Sequence, residues 1–157
     1  MPSNYLLPIL GLLSATCGIG GSNHLPGQDA QAVVAVVHKS NPVTALSAAQ
    51  LRLLYIGEVR QWPDHRRVTL VQSDPDSSAF RGLLQIVLQM TAADYNRFAL
   101  NLEFRGAEQL PLKTLHTTEA ACNFVFNVPG AVGVVDPSAL SSPACKDRVR
   151  ILPVVVR

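Results

Sequence analysis

The loop that follows the second predicted strand carries the groups best suited to bind a small anion. Its sequence is Ser-Asp-Pro-Asp-Ser-Ser over residues 73–78, and a predicted helix begins at Ala79. The first turn of a helix presents unpaired N–H groups and a partial positive charge, which suit phosphate or sulfate. We therefore expect an oxyanion to bind at three consecutive N–H groups, with one guanidinium as the charged partner: Ser77, Ser78, Ala79 and Arg81.

The same loop also carries two carboxylates, Asp74 and Asp76. Their negative charge raises the electrostatic cost of bringing an anion to this loop. The alternative interpretation is therefore a serine-capped helix without a ligand. A second group of charged residues surrounds Trp62 in the sequence and is typical of a solvated turn: Arg60, His65, Arg66 and Arg67.

Motifs of catalysis and of metal binding are absent from the sequence. It contains no Gly-x-Ser-x-Gly, no Walker glycine loop and no metal-spaced cluster of His, Cys and Asp. The four histidines are scattered, and the three cysteines form no Cys-x-x-Cys. We therefore expect a protein that is not an enzyme and has no cofactor. The formal net charge of +2 permits an anionic ligand but gives no footprint for a nucleic-acid partner.

Strands and helices alternate along the chain. Its 157 residues are 48% hydrophobic and only 15% charged, which favours a packed domain. Short β-branched runs predict strands over 32–37, 66–72, 132–135 and 149–156. Capping residues and helical spacing predict helices over 48–56, 79–89, 91–103 and 118–126. This order predicts a single α/β domain over 32–157, with three layers around a mixed sheet.

The clearest local signal is a helix start at Ser47. Its hydroxyl can accept from a first-turn N–H, and Gln50 can reach back to the N–H of Ser47 itself. Gly57 ends the run. Trp62 follows, and we expect it to be buried as an anchor against this helix. The inner face of the predicted helix consists of Leu51, Leu54 and Tyr55.

Two segments of the sequence resemble the type II periplasmic binding proteins, most closely the phosphate-binding component of phosphate ABC transporters. In the first, over 38–63, a strand ending in Asn-Pro precedes Leu-Ser-x-x-Gln-Leu, a hydrophobic-Gly pair and Trp-Pro. In the second, over 127–135, Pro-Gly-Ala-Val-Gly-Val is similar to the family's Pro-Gly-Ala-Ile-Gly-Tyr strand. The two matches occur in the family's order, and the resemblance covers residues 32 to 155.

The resemblance implies a fold like one lobe of these two-lobed proteins. The family has a whole first lobe before the strand that begins here at Ala32, so this sequence looks like the second lobe alone. Both lobes contribute to the ligand cleft, so one lobe offers half a site. Phosphate binders also have a Ser-Gly-Thr element at the loop before the helix, often after an arginine. Residues 73–78 lack both the glycine and the arginine.

Two functions remain open from these observations. The first is a non-catalytic solute-binding or accessory module of the cell envelope that binds phosphate or another small oxyanion weakly. The second is a structural or protein-interaction component of an envelope complex that kept the fold and lost the ligand. An envelope protein partner, or a second lobe supplied in trans by another chain, is an expectation common to both.

The first 31 residues predict export. Residues 5–13 form a short apolar run, followed by small residues through Gly21, which is typical of a secretory signal. The segment from Leu13 to Cys17 resembles a lipoprotein signal in which Cys17 is lipidated; the alternative is plain secretion. We therefore expect residues 1–31 to be a signal and a linker. The expected location is the periplasm or cell envelope, with membrane contact only through a lipid anchor.

The remaining two cysteines are Cys122 and Cys145. Removal or lipidation of Cys17 leaves them as an even pair in an oxidising compartment. We therefore predict a disulfide between them, with Cys145 in the loop before the last strand. The alternative is that Cys122 is a small buried apolar residue.

Overall fold

The computed structural model of the protein describes residues 33–104 and 111–155, and six strands form one sheet within them. The strands are β1 (Val34–His38), β2 (Leu46–Ser47), β3 (Thr69–Ser73), β4 (Leu112–Leu115), β5 (Ala131–Val135) and β6 (Val149–Val155). Their order across the sheet is β2-β6-β1-β5-β3-β4. β1 is antiparallel to β5 and β6, whereas β3 is parallel to β4 and β5, and β2 is parallel to β6. The sheet is therefore mixed, as the sequence predicts.

Helices cover both faces of this sheet. They are α1 (Ala48–Tyr55), α2 (Ser78–Gly82), α3 (Ala92–Phe104), α4 (Thr118–Asn127) and α5 (Pro143–Lys146). α2 continues into a π-helix over Leu83–Leu88, and a 3-10 helix spans Pro137–Ser141. Side chains of α1, α2 and α3 belong to one buried cluster, and those of α4 and α5 belong to another.

Neighbouring residues of the central strands contribute to opposite faces. Val37 of β1 packs with the cluster of α1 to α3, whereas Val36 packs with the cluster of α4 and α5. Leu70 and Val71 of β3 divide in the same way. Both faces of these strands are thus buried, which accounts for the apolar run of β1 in the sequence. The predicted three-layer α/β domain with a mixed sheet is confirmed.

Two of the six strands carry no clear signal in the sequence. β4 forms one outer edge of the sheet, and three of its four residues are exposed, so no hydrophobic run marks it. β2 has only two residues and is held by pairing with β6. The predicted strand over 66–72 begins later than expected, at Thr69, since Arg67 pairs instead with Gln61 in an isolated bridge. The predicted helix over 79–89 begins one residue earlier and changes to a π-helix at Leu83.

The start of α1 confirms the predicted capping box. The Gln50 N–H donates to the Ser47 hydroxyl at 3.1 Å, and the Ser47 N–H donates to the Gln50 side chain at 2.9 Å. Gly57 follows the helix with a φ of 80°, a conformation that favours glycine. Trp62 is only 4% exposed and belongs to the same buried cluster as Leu51 and Tyr55, so the predicted anchor is confirmed.

A disulfide joins Cys122 of α4 to Cys145, as predicted. Cys145 does not lie in a loop, however. It lies in the short helix α5, which begins with Pro143 in a proline- and serine-rich segment where we expected none. Both cysteines are fully buried, so the bridge lies in the core that α4 and α5 form against the sheet.

Candidate functional site

Three parallel strands, β3, β4 and β5, have their carboxyl ends on the same side of the sheet. We call this side, which is formed by strand ends and not by an outer strand, the carboxyl edge. Asp74 follows β3, His116 follows β4 and Asp136 follows β5. The His116 Nδ1 atom lies 2.7 Å from the Asp74 carboxylate. The Ser78 hydroxyl, at the start of α2, donates to the Asp136 carboxylate. The strand ends and the start of α2 are therefore linked by side-chain contacts at this edge.

Ser77 acts as the N-cap of α2. Its hydroxyl accepts from the Phe80 N–H at 3.1 Å and donates to the Asp74 carbonyl at 2.6 Å. Its own N–H also donates to the Asp74 carbonyl, at 2.9 Å. Ser77 therefore uses both its N–H and its hydroxyl to close the loop, and its N–H is not available to a ligand in this conformation.

Ser78 and Ala79 are the first two residues of the helix. Their N–H groups make no hydrogen bond within the part of the chain that the structure describes. Arg81 folds back to the same loop, where its guanidinium donates to the Asp76 carbonyl at 2.7 Å and stays exposed. The structure therefore brings the four predicted residues to one place but leaves only two of the three N–H groups without a partner.

Two carboxylates at the carboxyl edge are held in their ionised form. The hydrogen bond from His116 holds the pKa of Asp74 below its usual value, helped by the Asp76 N–H. The Ser138 hydroxyl, and then the Ser78 hydroxyl, lower the pKa of Asp136 in the same way. Hydrogen bonds to a carboxylate favour its charged form. The edge therefore carries the protein's own anions beside the start of α2.

His116 and Asp136 were not predicted as part of this edge. Asp136 comes directly after a correctly predicted strand, so its place at a strand end was available from the sequence. His116 could not be placed, because β4 before it was not predicted. The carboxyl ends of neighbouring parallel strands are a common location for ligand sites, so this signal would have sufficed for Asp136.

The charged residues around Trp62 lie at the opposite ends of these strands, near the start of β3. The Arg60 carbonyl accepts from the Val68 N–H, one residue before β3. Arg66 pairs with Asp64 at 2.7 Å and also donates to the Ser40 hydroxyl at 2.6 Å. This group therefore lies at the starts of the strands and is separated from the start of α2.

A buried polar network lies behind the carboxyl edge. The Tyr95 hydroxyl donates to the Gln72 side chain at 2.6 Å, and the Tyr55 hydroxyl donates to the Val71 carbonyl at 2.7 Å. Burial raises the pKa of Tyr95 to about 12 and that of Tyr55 further still, so both phenols stay protonated. Both hydroxyls are engaged by the protein, which indicates a structural role.

Within residues 33–104 and 111–155, no group of His, Cys, Asp and Glu is arranged to hold a metal ion. The helices of the same residues are too short or too polar to cross a membrane. Residues 1–31, including the predicted signal and Cys17, lie outside the described part of the chain.

No protein family model matches the sequence, and no curated protein matches it either. Solved structures do match the fold. A phosphate ABC transporter substrate-binding protein from Clostridium perfringens, with bound phosphate, matches with a TM-score of 0.56 and 16% identity over 78% of this chain and 44% of its own. PstS from Borrelia burgdorferi matches with a TM-score of 0.58 and 13% identity over 78% of this chain and 47% of its own.

An ABC-type phosphate transport receptor from Vibrio cholerae gives a similar result, with a TM-score of 0.57 and 16% identity over 77% of this chain and 45% of its own. The chain thus spans less than half the length of each of these structures. At this level of identity the likeness concerns the fold. The chain therefore has the α/β fold of one lobe of the phosphate-transporter substrate-binding proteins.

Proposed function

We propose that the protein is an exported, non-catalytic, solute-binding-like module of the cell envelope that receives a small oxyanion at its carboxyl edge. The ligand binds to the N–H groups of Ser78 and Ala79, with Arg81 as the charged partner and Ser77 as the cap that holds the turn. The observation that carries this proposal is that these two N–H groups, beside an exposed guanidinium, have no partner among the described residues. The shared fold with phosphate-binding proteins supports phosphate as the first ligand to test.

The expected binding is weak for two reasons. One lobe leaves the far side of the ligand in water, so solvent competes for its remaining oxygens. In addition, Asp74, Asp76 and Asp136 place negative charge near the ligand. We therefore expect affinity no tighter than about the millimolar range, equivalent to about 4 kcal/mol.

The test is a titration of the purified protein with phosphate, sulfate, molybdate and small carboxylates, followed by calorimetry and by amide chemical shifts. The proposal predicts shifts at Ser78 and Ala79 that saturate in the millimolar range and weaken with added salt. Arg81→Ala should weaken binding, because it removes the charged partner of the ligand. Arg97→Ala is the matched control, since Arg97 is an exposed arginine of α3 that pairs with Asp94.

Three outcomes of this titration would distinguish the possible functions. Micromolar phosphate binding by the monomer would refute the half-site argument. Micromolar binding only in a dimer or with a partner would support a second lobe in trans. Silence at tens of millimolar would remove the oxyanion from the proposal and leave the interaction module.

That interaction module is the second candidate, and one specific contact favours it. The Ser78 hydroxyl donates to Asp136, so a carboxylate of the chain itself occupies a donor at the start of α2. If this carboxylate only competes with an external anion, Asp136→Asn should raise phosphate affinity. No gain in affinity from this substitution, together with silence of the wild type, would favour a protein that kept the fold without the ligand.

Export is part of the same proposal. We propose that residues 1–31 are a signal and linker before a domain over 32–157, and that Cys17 is the site of lipidation if a lipid anchor is present. The mass of the protein purified from its native cell tests this directly. The expected product lacks at least its first 14 residues, since the apolar run must be removed. An intact chain in the cytosolic fraction would contradict export.

A further inference from the structure

Charge is divided between the two edges of the sheet. The carboxyl edge carries acids from the loops after β3 and β5 and from the first turn of α4: the half-buried Asp74 and Asp136 and the exposed Asp76 and Glu119. The opposite edge, which we call the basic edge, carries cations from the ends of β1 and α1 and from the starts of β3 and β6: Lys39, Arg60, Arg66, Arg148 and Arg150. The two surfaces lie at opposite ends of the same strands.

The cations of the basic edge are held largely by neutral groups. Arg60 donates to the Gly57 carbonyl at 3.1 Å, and Lys39 donates to the Asp147 carbonyl. Arg150 donates to the Asn41 carbonyl at 2.6 Å. A carbonyl fixes a guanidinium in position but leaves its net charge in place. The acids of this edge are fewer than its cations: Glu58, Asp64 and Asp147.

The residue composition of the basic edge resembles that of protein–protein interfaces. Most cations of this edge are arginine, whose planar fork binds carboxylates with defined geometry. Arg148 lies over the ring of Phe126, 5.2 Å from its centroid, and this ring is 41% exposed. Arginine and aromatic residues are enriched in protein interfaces, whereas lysine is depleted. Fixed guanidiniums suit fixed carboxylates better than a fluid lipid surface.

We propose that the basic edge of one copy of this chain binds the carboxyl edge of a second copy. Asp76 and Glu119 of the carboxyl edge are exposed to a partner. Arg81 of α2 is the arginine that lies beside Asp76. In a head-to-tail contact, arginines of one copy lie opposite Asp76 and Glu119 of the next. Such a contact joins unlike surfaces and extends into open chains unless it closes into a ring. It does not depend on oxyanion binding.

Sedimentation velocity of the purified protein tests the contact. At about 20 mM salt, where charges are weakly screened, the weight-average sedimentation coefficient should rise with protein concentration. At about 300 mM salt it should return to the monomer value, because screening shortens the range of these attractions. A monomer at all concentrations up to about 200 μM in low salt, well above common affinities of specific interfaces, would overturn the proposal.

Mixing two charge-reversed variants gives a sharper test than the salt dependence. One variant carries Arg60→Glu and Arg148→Glu, and the other carries Asp76→Lys and Glu119→Lys. Each should lose self-association, because one of its two edges is reversed. Their mixture should associate again, because the native pair of edges and the reversed pair of edges are each complementary in charge. Circular dichroism checks that both variants fold, and Arg97→Glu is the control for a reversal elsewhere.

Two results of the mixing experiment count against a second copy as the partner. If the variants fail to associate with one another while the wild type does associate, the contact uses other surfaces. If the wild type stays monomeric but binds vesicles containing anionic lipid, the basic edge serves a membrane and the proposal is wrong.

Discussion

The indole Nε1 of Trp62 donates to the carbonyl oxygen of Gly130 at 2.9 Å, although the two residues are 68 positions apart. The same carbonyl accepts from the Thr69 N–H at 3.0 Å. Gly130 is required here, because a Cβ atom at this position would lie 2.1 Å from the Arg67 carbonyl oxygen. The Trp62 side chain thus fastens the turn after α1 to the turn that precedes β5.

Truncation of Trp62 should strongly lower the free energy of unfolding. We expect Trp62→Ala to cost about 3–5 kcal/mol, because it removes a large buried side chain and leaves a cavity. Trp62→Phe should cost less, since it keeps most of the apolar contact and loses the hydrogen bond to Gly130. Urea unfolding measures both values. A fluorescence maximum of the folded wild type equal to that of tryptophan in water would contradict the burial.

Removal of the Cys122–Cys145 disulfide should also destabilise the protein. The bridge closes a loop with a sequence separation of 23, and the chain-entropy model gives about 3 kcal/mol for such a loop. In urea unfolding, the Cys122→Ala/Cys145→Ala variant should be less stable than the wild type by about this amount. The wild type under reducing conditions should lose a similar amount of stability. Two free thiols in the alkylated exported protein would show that the bridge is not formed in the cell.

The capping box of α1 should contribute a smaller, local amount. Ser47→Ala removes the acceptor for the Gln50 N–H and should cost about 1 kcal/mol. Ser47→Asp is the conservative control and should keep most of the stability, because aspartate is also a good N-cap. Equal stability of Ser47→Ala and wild type would show that packing alone fixes the start of α1.

The contribution of Asp136 should depend on pH. Its pKa is lower in the folded protein than the ordinary value of 3.8, so it stabilises the fold above that value. The stabilisation is lost as the pH falls through the lower folded pKa. Asp136→Asn should lower the free energy of unfolding by less than about 1 kcal/mol at pH 7, because solvent screens the hydrogen bonds of this partly exposed carboxylate. This difference should shrink as the pH falls below 3.8 and through the lower folded pKa, and urea titrations of both proteins along the pH scale measure it.

The parts of the fold that the sequence predicts are those with strong local chemistry. The capping box at Ser47 and the paired cysteines can be recognised because their partners or their redox setting follow from residue type. β4 could not be recognised, because Leu112 and its neighbours are exposed at the sheet edge and pairing with β3 alone makes them a strand. β2 depends in the same way on pairing with β6.

The candidate site shows the same division. The sequence predicts the serine cap and the first turn of α2, since both lie within one short segment. It does not predict that the Ser77 N–H is used by the Asp74 carbonyl, because that depends on the path of the loop. The contact between Ser78 and Asp136 joins residues 58 positions apart, and only the folded sheet brings them together.

The place of β6 in the sheet has a consequence for how the chain is made. β6 lies between β1 and β2, although it is the last strand of the described chain and β1 and β2 are the first. A nascent polypeptide therefore presents β1 without β6 beside it until residues 149–155 have been made. Closing such distant pairings is slow, because the entropy of a long loop is lost before the contacts form. β1 therefore gains both of its strand neighbours, β5 and β6, only after residues 131–155 have been made.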